Sequence, residues 1–142
     1  MKNYLLITIF LLSVSTGFSQ SIFGHWNSFD EDTNRVESVI EVYKKEGWVL
    51  ARISKIIDPE KQEAVCLMCN GKRKNEAILG MDILTGLKKN GNQWSGGKIL
   101  DPKSGNEYTC YMKLINQNTL KIRGYFGSPL FGKTVIWKRT EK

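Results

Sequence analysis

Short runs of alternating side chains, cut by turn-forming residues, constrain this chain more than any other feature. Val36, Ser38, Ile40 and Val42 alternate with Glu37, Val39, Glu41 and Tyr43, the period of a half-buried strand. Lys44-Lys45-Glu46-Gly47 reads as a turn. Trp48 to Ile56 returns, with Val49, Ala51 and Ile53 on one face and Trp48, Leu50 and Arg52 on the other. Trp94 to Leu100 runs into Asp101-Pro102-Lys103-Ser104-Gly105. Pro102 presets one dihedral, Asp101 can bond the backbone ahead, and Gly105 tolerates a positive φ, so this segment turns. Glu107 to Leu114 follows, with Tyr108, Cys110, Met112 and Leu114 on one face. Asn116-Gln117-Asn118 turns the chain into Thr119 to Tyr125, where Leu120 and Ile122 face inward. A looser turn from Gly127 to Gly132 precedes a last strand that begins near Lys133 or Thr134 and ends at Arg139. Phe23 to Phe29 adds one strand, and Ala77 to Leu87 one or two. No eleven-residue stretch beyond residue 19 carries a capped helical stripe. The expected fold is all-β, an antiparallel up-and-down barrel of about eight strands.

The two ends of that run suggest how it closes. An open sheet leaves two edges of unpaired backbone groups, and pairing the first strand with the last removes both. Gly24-His25-Trp26 opens the first strand and Trp137-Lys138-Arg139 closes the last. Trp26 is large enough to plug one end, and Arg139 could lie over its ring. The plainer alternative is a core Trp26 and a solvated Arg139. In either case Gly24, Trp26 and Arg139 serve stability. Gly96-Gly97 falls within a strand and points to a bulge or a close backbone approach.

Residues 1–19 read as an address. Lys2 supplies a positive start, Tyr4 to Val14 an apolar run too short to span a bilayer, and Gly17-Phe18-Ser19 a small-residue cleavage site. Removal of this signal peptide leaves residues 20–142 as one domain, exported to the periplasm or secreted, with no membrane-spanning helix. The net charge of +7 falls to +6 with the loss of Lys2. Export argues against a nucleic-acid partner and leaves an anionic envelope component as the alternative for a basic surface. The basic residues are dispersed (Lys44-Lys45, Lys72-Arg73-Lys74, Lys88-Lys89, Lys138-Arg139), and ordinary solvating charge is the preferred reading.

Several motifs together resemble a known family. They are Gly24-x-Trp26, Cys66-x-x-Cys69-x-Gly71, Gly80-Met81, Trp94-x-Gly96-Gly97-Lys98-Ile99-x-Asp101-Pro102-x-x-Gly105-x-x-Tyr108, Leu120-x-Ile122-Arg123-Gly124-Tyr125 and Gly132-x-x-x-x-Trp137-x-Arg139. Gly24-x-Trp26 with a terminal-strand Arg looks like the lipocalin-type barrels. The full set is similar to small exported bacterial proteins grouped as domain of unknown function 2147. The resemblance spans essentially the whole chain after residue 19. It implies a signal peptide followed by a lipocalin-like barrel and brings no activity with it.

The chemistry-bearing residues are few. Cys66, Cys69 and Cys110 would sit in an oxidising compartment. A local Cys66–Cys69 disulfide is the preferred reading, with Cys110 a buried free thiol. The alternatives are a bridge to Cys110, which closes a longer loop, a redox pair without the usual strand-to-helix context, and a zinc site short of ligands. His25 is the only histidine, so no Ser-His-Asp or Cys-His machine is legible. Asp30-Glu31-Asp32 lacks the Gly and distal Glu of a calcium loop and reads as a solvated turn. No catalytic residue, metal site or cofactor is assigned. The expected function is non-enzymatic binding of a small apolar or amphipathic ligand in the barrel mouth, with Trp48, Tyr111, Tyr125 and Phe126 as candidate contacts. An envelope-associated protein using its basic outer surface, through Lys72-Arg73-Lys74, is the second reading. A thiol-disulfide protein using Cys66 and Cys69 is the third.

Overall fold

A computed structural model describes residues 20–141. The expected signal peptide, residues 1–19, lies outside them. Eight antiparallel strands follow one another in space as in sequence and close into a barrel. They are β1 (Gly24–Phe29), β2 (Val36–Lys45), β3 (Trp48–Ile56), β4 (Asp82–Asn90), β5 (Gln93–Leu100), β6 (Glu107–Asn116), β7 (Thr119–Tyr125) and β8 (Gly132–Arg139). Two 3-10 turns, Pro59–Lys61 and Gly71–Arg73, lie in the long β3–β4 connection.

Period-two burial runs through the strands. On β3, Val49, Ala51 and Ile53 are buried while Leu50 and Arg52 are not, and on β6 Cys110 and Met112 are buried on either side of Tyr111. Outward positions carry Glu41, Arg52, Lys98, Lys113 and Lys121, which is not the apolar outer band of a membrane barrel. Among the described residues no helix is long and apolar enough to cross a membrane.

The segment Ala77–Leu87, where one or two strands are expected, meets that expectation at the lower count, with shifted bounds. One strand forms there, and it starts only at Asp82. Gly80, at φ 87°, bends the chain first, and Ala77 makes an isolated bridge to Val65. β4 then runs past Leu87 through Lys88 and Lys89, which pair with Ser95 and Trp94. The glycine pair behaves as expected. Gly96 has φ 83° and the β5–β6 register slips between Ser95 and Gly97. A Cβ at Gly97 would meet the Thr85 carbonyl and the Leu87 side chain, so β4 and β5 close on each other only because it is glycine.

One end of the barrel is sealed. Trp26 is fully buried and donates from Nε1 to the Ile22 carbonyl at 2.9 Å. The Arg139 guanidinium lies 4.1 Å from the centre of the Trp26 ring. It donates to the carbonyls of Gln117 (2.7 Å), Ser21 (2.6 Å) and Phe23 (3.3 Å). Arg139 therefore ties the segment before β1 to the β6–β7 turn, using a planar fork that lysine lacks. Gly24 is held at φ 118°, where an L side chain would be strained. The Gly-x-Trp start thus has a backbone reason as well as a packing one.

Candidate functional site

The end opposite Trp26 is open. Four connections surround it: the β1–β2 loop, the β3–β4 connection, the β5–β6 turn and the β7–β8 loop. Each turn is built by local chemistry. Asp30 Oδ1 accepts from the backbone N–H of Asp32 (3.1 Å) and Thr33 (2.9 Å). These bonds, the Thr33 backbone first, hold the Asp30 carboxyl below its ordinary range. Asp101 builds its own turn by similar hydrogen bonds, accepting from Lys103 N–H (3.0 Å) and the Ser104 hydroxyl (2.8 Å), while Gly105 takes φ 73°. Both acidic motifs are turn caps, as read from the sequence.

The disulfide joins Cys66 to Cys69, with Cα atoms 5.4 Å apart, and Cys110 is a buried free thiol. The bridge closes a tight loop within the β3–β4 connection, and that loop packs on the β5–β6 turn. Cys66 Sγ lies 3.4 Å from the Pro102 carbonyl, and a Cβ at Gly105 would collide with the Met68 backbone. Both bridged cysteines are buried, so neither sulfur is open to attack by an incoming thiolate. Among the described residues no cluster of three or more His, Cys, Asp or Glu could hold a metal.

Inside the mouth is a cavity of about 520 Å³. Every strand contributes a wall residue: Ser28, Ile40, Ile53, Ile83, Ile99, Tyr108, Ile122 and Val135, in strand order. Below it the barrel is filled by Leu84, Leu87, Cys110, Met112 and Leu120, all essentially inaccessible. The interior is therefore half packed and half open. The Ser28 and Ser38 hydroxyls are hydrogen-bonded to each other in the wall, the only buried polar pair there among the described residues.

The rim is charged, and unevenly so. Asp30, Glu31, Asp32, Glu37 and Asp101 face Lys103 and Lys133. Lys103, on the β5–β6 turn, reaches Glu37 of β2 at 2.9 Å and Asp30 at 3.7 Å. These elements stand on opposite sides of the closed ring, so the pair spans the opening. The Glu37 contact first, with the charges of Glu37 and Asp30, raises the Lys103 pKa. Lys133 pairs with Glu31 between the start of β8 and the β1–β2 loop.

Of the four aromatics expected at the opening, only Phe126 lines the cavity, its ring 4.6 Å from that of Tyr108. The other three require correction, and strand parity is the reason. Tyr111 lies between inward Cys110 and Met112, so it points outward, where it meets Tyr125 at 6.5 Å. Trp48 points outward at the sealed end, under the Lys88 ammonium at 3.9 Å. Tyr108 was visible in the sequence on the inward face. The ring of isoleucines was visible only as core, because alternation cannot say whether inward residues meet or leave a gap.

A family profile described as "Uncharacterized protein conserved in bacteria (DUF2147)" matches residues 24–139, from the Gly24 that opens β1 to the Arg139 that seals the floor. The chain belongs to the DUF2147 family. Among solved structures, this DUF2147 barrel is similar to protein HP1028 of Helicobacter pylori, described as belonging to the lipocalin family. The TM-score is 0.75 at 20% identity, covering 86% of this chain and 84% of that one. The likeness shows the lipocalin-like fold. No curated protein matches the DUF2147 chain.

Proposed function

We propose that the barrel is an exported, non-enzymatic binding protein for a small amphipathic molecule admitted through its mouth. The carrying observation is the open cavity of about 520 Å³, within the range of small-molecule pockets, walled by one residue from each strand. The apolar part of the ligand lies among Ile40, Ile53, Ile83, Ile99 and Ile122. The polar end stays at the rim, where five carboxylates outnumber two ammonium groups. That excess disfavours a carboxylate head and suits an uncharged or cationic one. The lipocalin-like fold supports the reading by analogy. Export is part of the proposal, supported by the leader-like segment and by a disulfide that needs an oxidising compartment.

Displacement of a neutral naphthylamine probe by alkyl amines, alcohols and carboxylates of equal chain length tests both halves. Amines and alcohols are expected to displace it better than carboxylates. A ligand at about a hundred times its Kd should add about 2.7 kcal/mol of stability. Val135→Phe, which adds bulk to the cavity wall, should weaken probe binding. Strongest displacement by carboxylates removes the head-group assignment. Absence of probe binding, with no melting shift from any competitor, removes the cavity reading itself.

A further inference from the structure

Among the described residues, lysines without an ion-pair partner cluster at the sealed end, although Lys55, Lys72, Lys74 and Lys98 are also unpaired nearer the mouth. The β2–β3 turn brings Lys44 and Lys45 there, the β4–β5 turn Lys88 and Lys89, and Lys113 faces Lys121 directly across β6 and β7. Like charges placed opposite each other oppose pairing, so this arrangement is not one that sheet stability selects. Glu46 is the only carboxylate on the three turns of this end. Among the described residues, every lysine held in an ion pair (Lys61, Lys103 and Lys133) stands at the open end instead. The two lysines of the β4–β5 hairpin lie over aromatic rings: Lys88 over Trp48 at 3.9 Å, and Lys89 over Trp94 at 5.8 Å. Trp48 is 42% exposed, and Ile115, beside the β6–β7 turn, is 51% exposed. The barrel thus has a basic floor and a cavity rim on which carboxylates outnumber ammonium groups.

We propose that the sealed end docks on an anionic phospholipid surface, so that the barrel stands on its floor with the mouth directed away. Charge complementarity carries the choice, because such a surface attracts the floor and repels the rim. The cations are spread over three separate hairpins around a rounded end rather than along a groove that could track a nucleic-acid strand. Trp48 and Ile115 stand among them, and an amphipathic ring beside ammonium groups suits the headgroup layer. The triplet Lys72-Arg73-Lys74 is a poorer candidate. It sits in the β3–β4 connection at the mouth, and Arg73 is committed to the Asp82 carbonyl at 2.9 Å. The proposal does not depend on the cavity being a binding site.

Co-sedimentation of the purified protein with vesicles tests it, comparing phosphatidylcholine alone with phosphatidylcholine containing phosphatidylglycerol. Binding is expected only with the anionic lipid and should weaken with salt. Changing Lys44→Gln, Lys45→Gln, Lys88→Gln and Lys89→Gln together should lower binding at least about tenfold. Changing Lys72→Gln, Arg73→Gln and Lys74→Gln should leave it within about twofold. Circular dichroism and thermal melting check the fold of each variant. Unchanged vesicle binding by the correctly folded quadruple variant overturns the proposal. So does loss of binding in Leu130→Ser with Phe131→Ser but not in the lysine variant, since the mouth would then be the docking face. Preference for soluble heparin over the anionic vesicles overturns the lipid assignment.

Discussion

Cys110 has lost its partners in water without gaining one in the fold. It is buried on β6 between Gly97 of β5 and Gly124 of β7, two residues without side chains. Burial pushes its thiol from 9.0 up to about 12, against the opposing charge of Lys98. The unfolded chain therefore releases this proton first as pH rises. The stability that Cys110 contributes is complete below about pH 9 and is lost between 9 and 12. Tyr43 acts with the same sign from a starting value of 10.0, raised to about 12 by burial and then by its bond to Asp82. Each group can lower stability by at most about 1.4 kcal/mol per pH unit in its window. Urea denaturation across this range should show the decline. Cys110→Ala should flatten its first part, from pH 9 to 10, and leave the later part to Tyr43. An unchanged slope in the variant would show that the thiol is not held out of water. The native thiol should also resist an aromatic disulfide reagent until the protein unfolds.

Among the elements, the strands with unbroken alternation were the legible ones. β2, β3 and β6 could be read face by face, and the Asp101 turn could be read down to its hydrogen bonds. β4 was not legible, because adjacent Ile83 and Leu84 are both buried and Gly86 takes φ 74°, which breaks period two. Lys88-Lys89-Asn90 has turn-like composition, yet it pairs with β5 because the partner strand is present to pair with. The aromatic assignments failed differently. Alternation sets Tyr111 opposite in sense to Cys110 and Met112, and that decides its face whatever its nearness to a strand end. The contact of the disulfide loop with the β5–β6 turn was out of reach, because it joins segments 36 residues apart with no pattern in either that points to the other. Two glycines with the same backbone sign isolate its worth. Gly91, at φ 65°, has open space where a Cβ would go, so Gly91→Ala should cost about 1–2 kcal/mol from strain alone. Gly105→Ala adds a collision with the Met68 backbone and should cost about 1–3 kcal/mol more. Chemical denaturation measures both, and equal losses would mean that the disulfide loop does not rest on this turn.

For the whole molecule, the weak point of closure is the seam between the first and last strands. β1 and β8 share only two register pairs, Trp26 with Arg139 and Asn27 with Lys138, whereas β7 and β8 share seven. Both seam pairs are at the sealed end. Toward the mouth, Ser28 and Phe29 have no β8 partner, and the Lys133–Glu31 pair bridges the two sides. An exposed ion pair contributes little, so the upper seam is the region expected to open at the lowest free energy. A ligand could then pass through the wall as well as through the mouth, and the two routes can be separated. Asn27 and Lys138 lie directly opposite each other on the outer face, at a spacing that suits a disulfide. Asn27→Cys with Lys138→Cys, oxidised, should anchor the seam just below its unpaired stretch, limit how far that stretch can part, and slow hydrogen exchange in β1 and β8. If the mouth admits the ligand, naphthylamine association should stay within about twofold of the reduced form. A fall in the association rate that reduction restores would instead make the β1–β8 seam the gate, with the Lys133–Glu31 pair as its clasp.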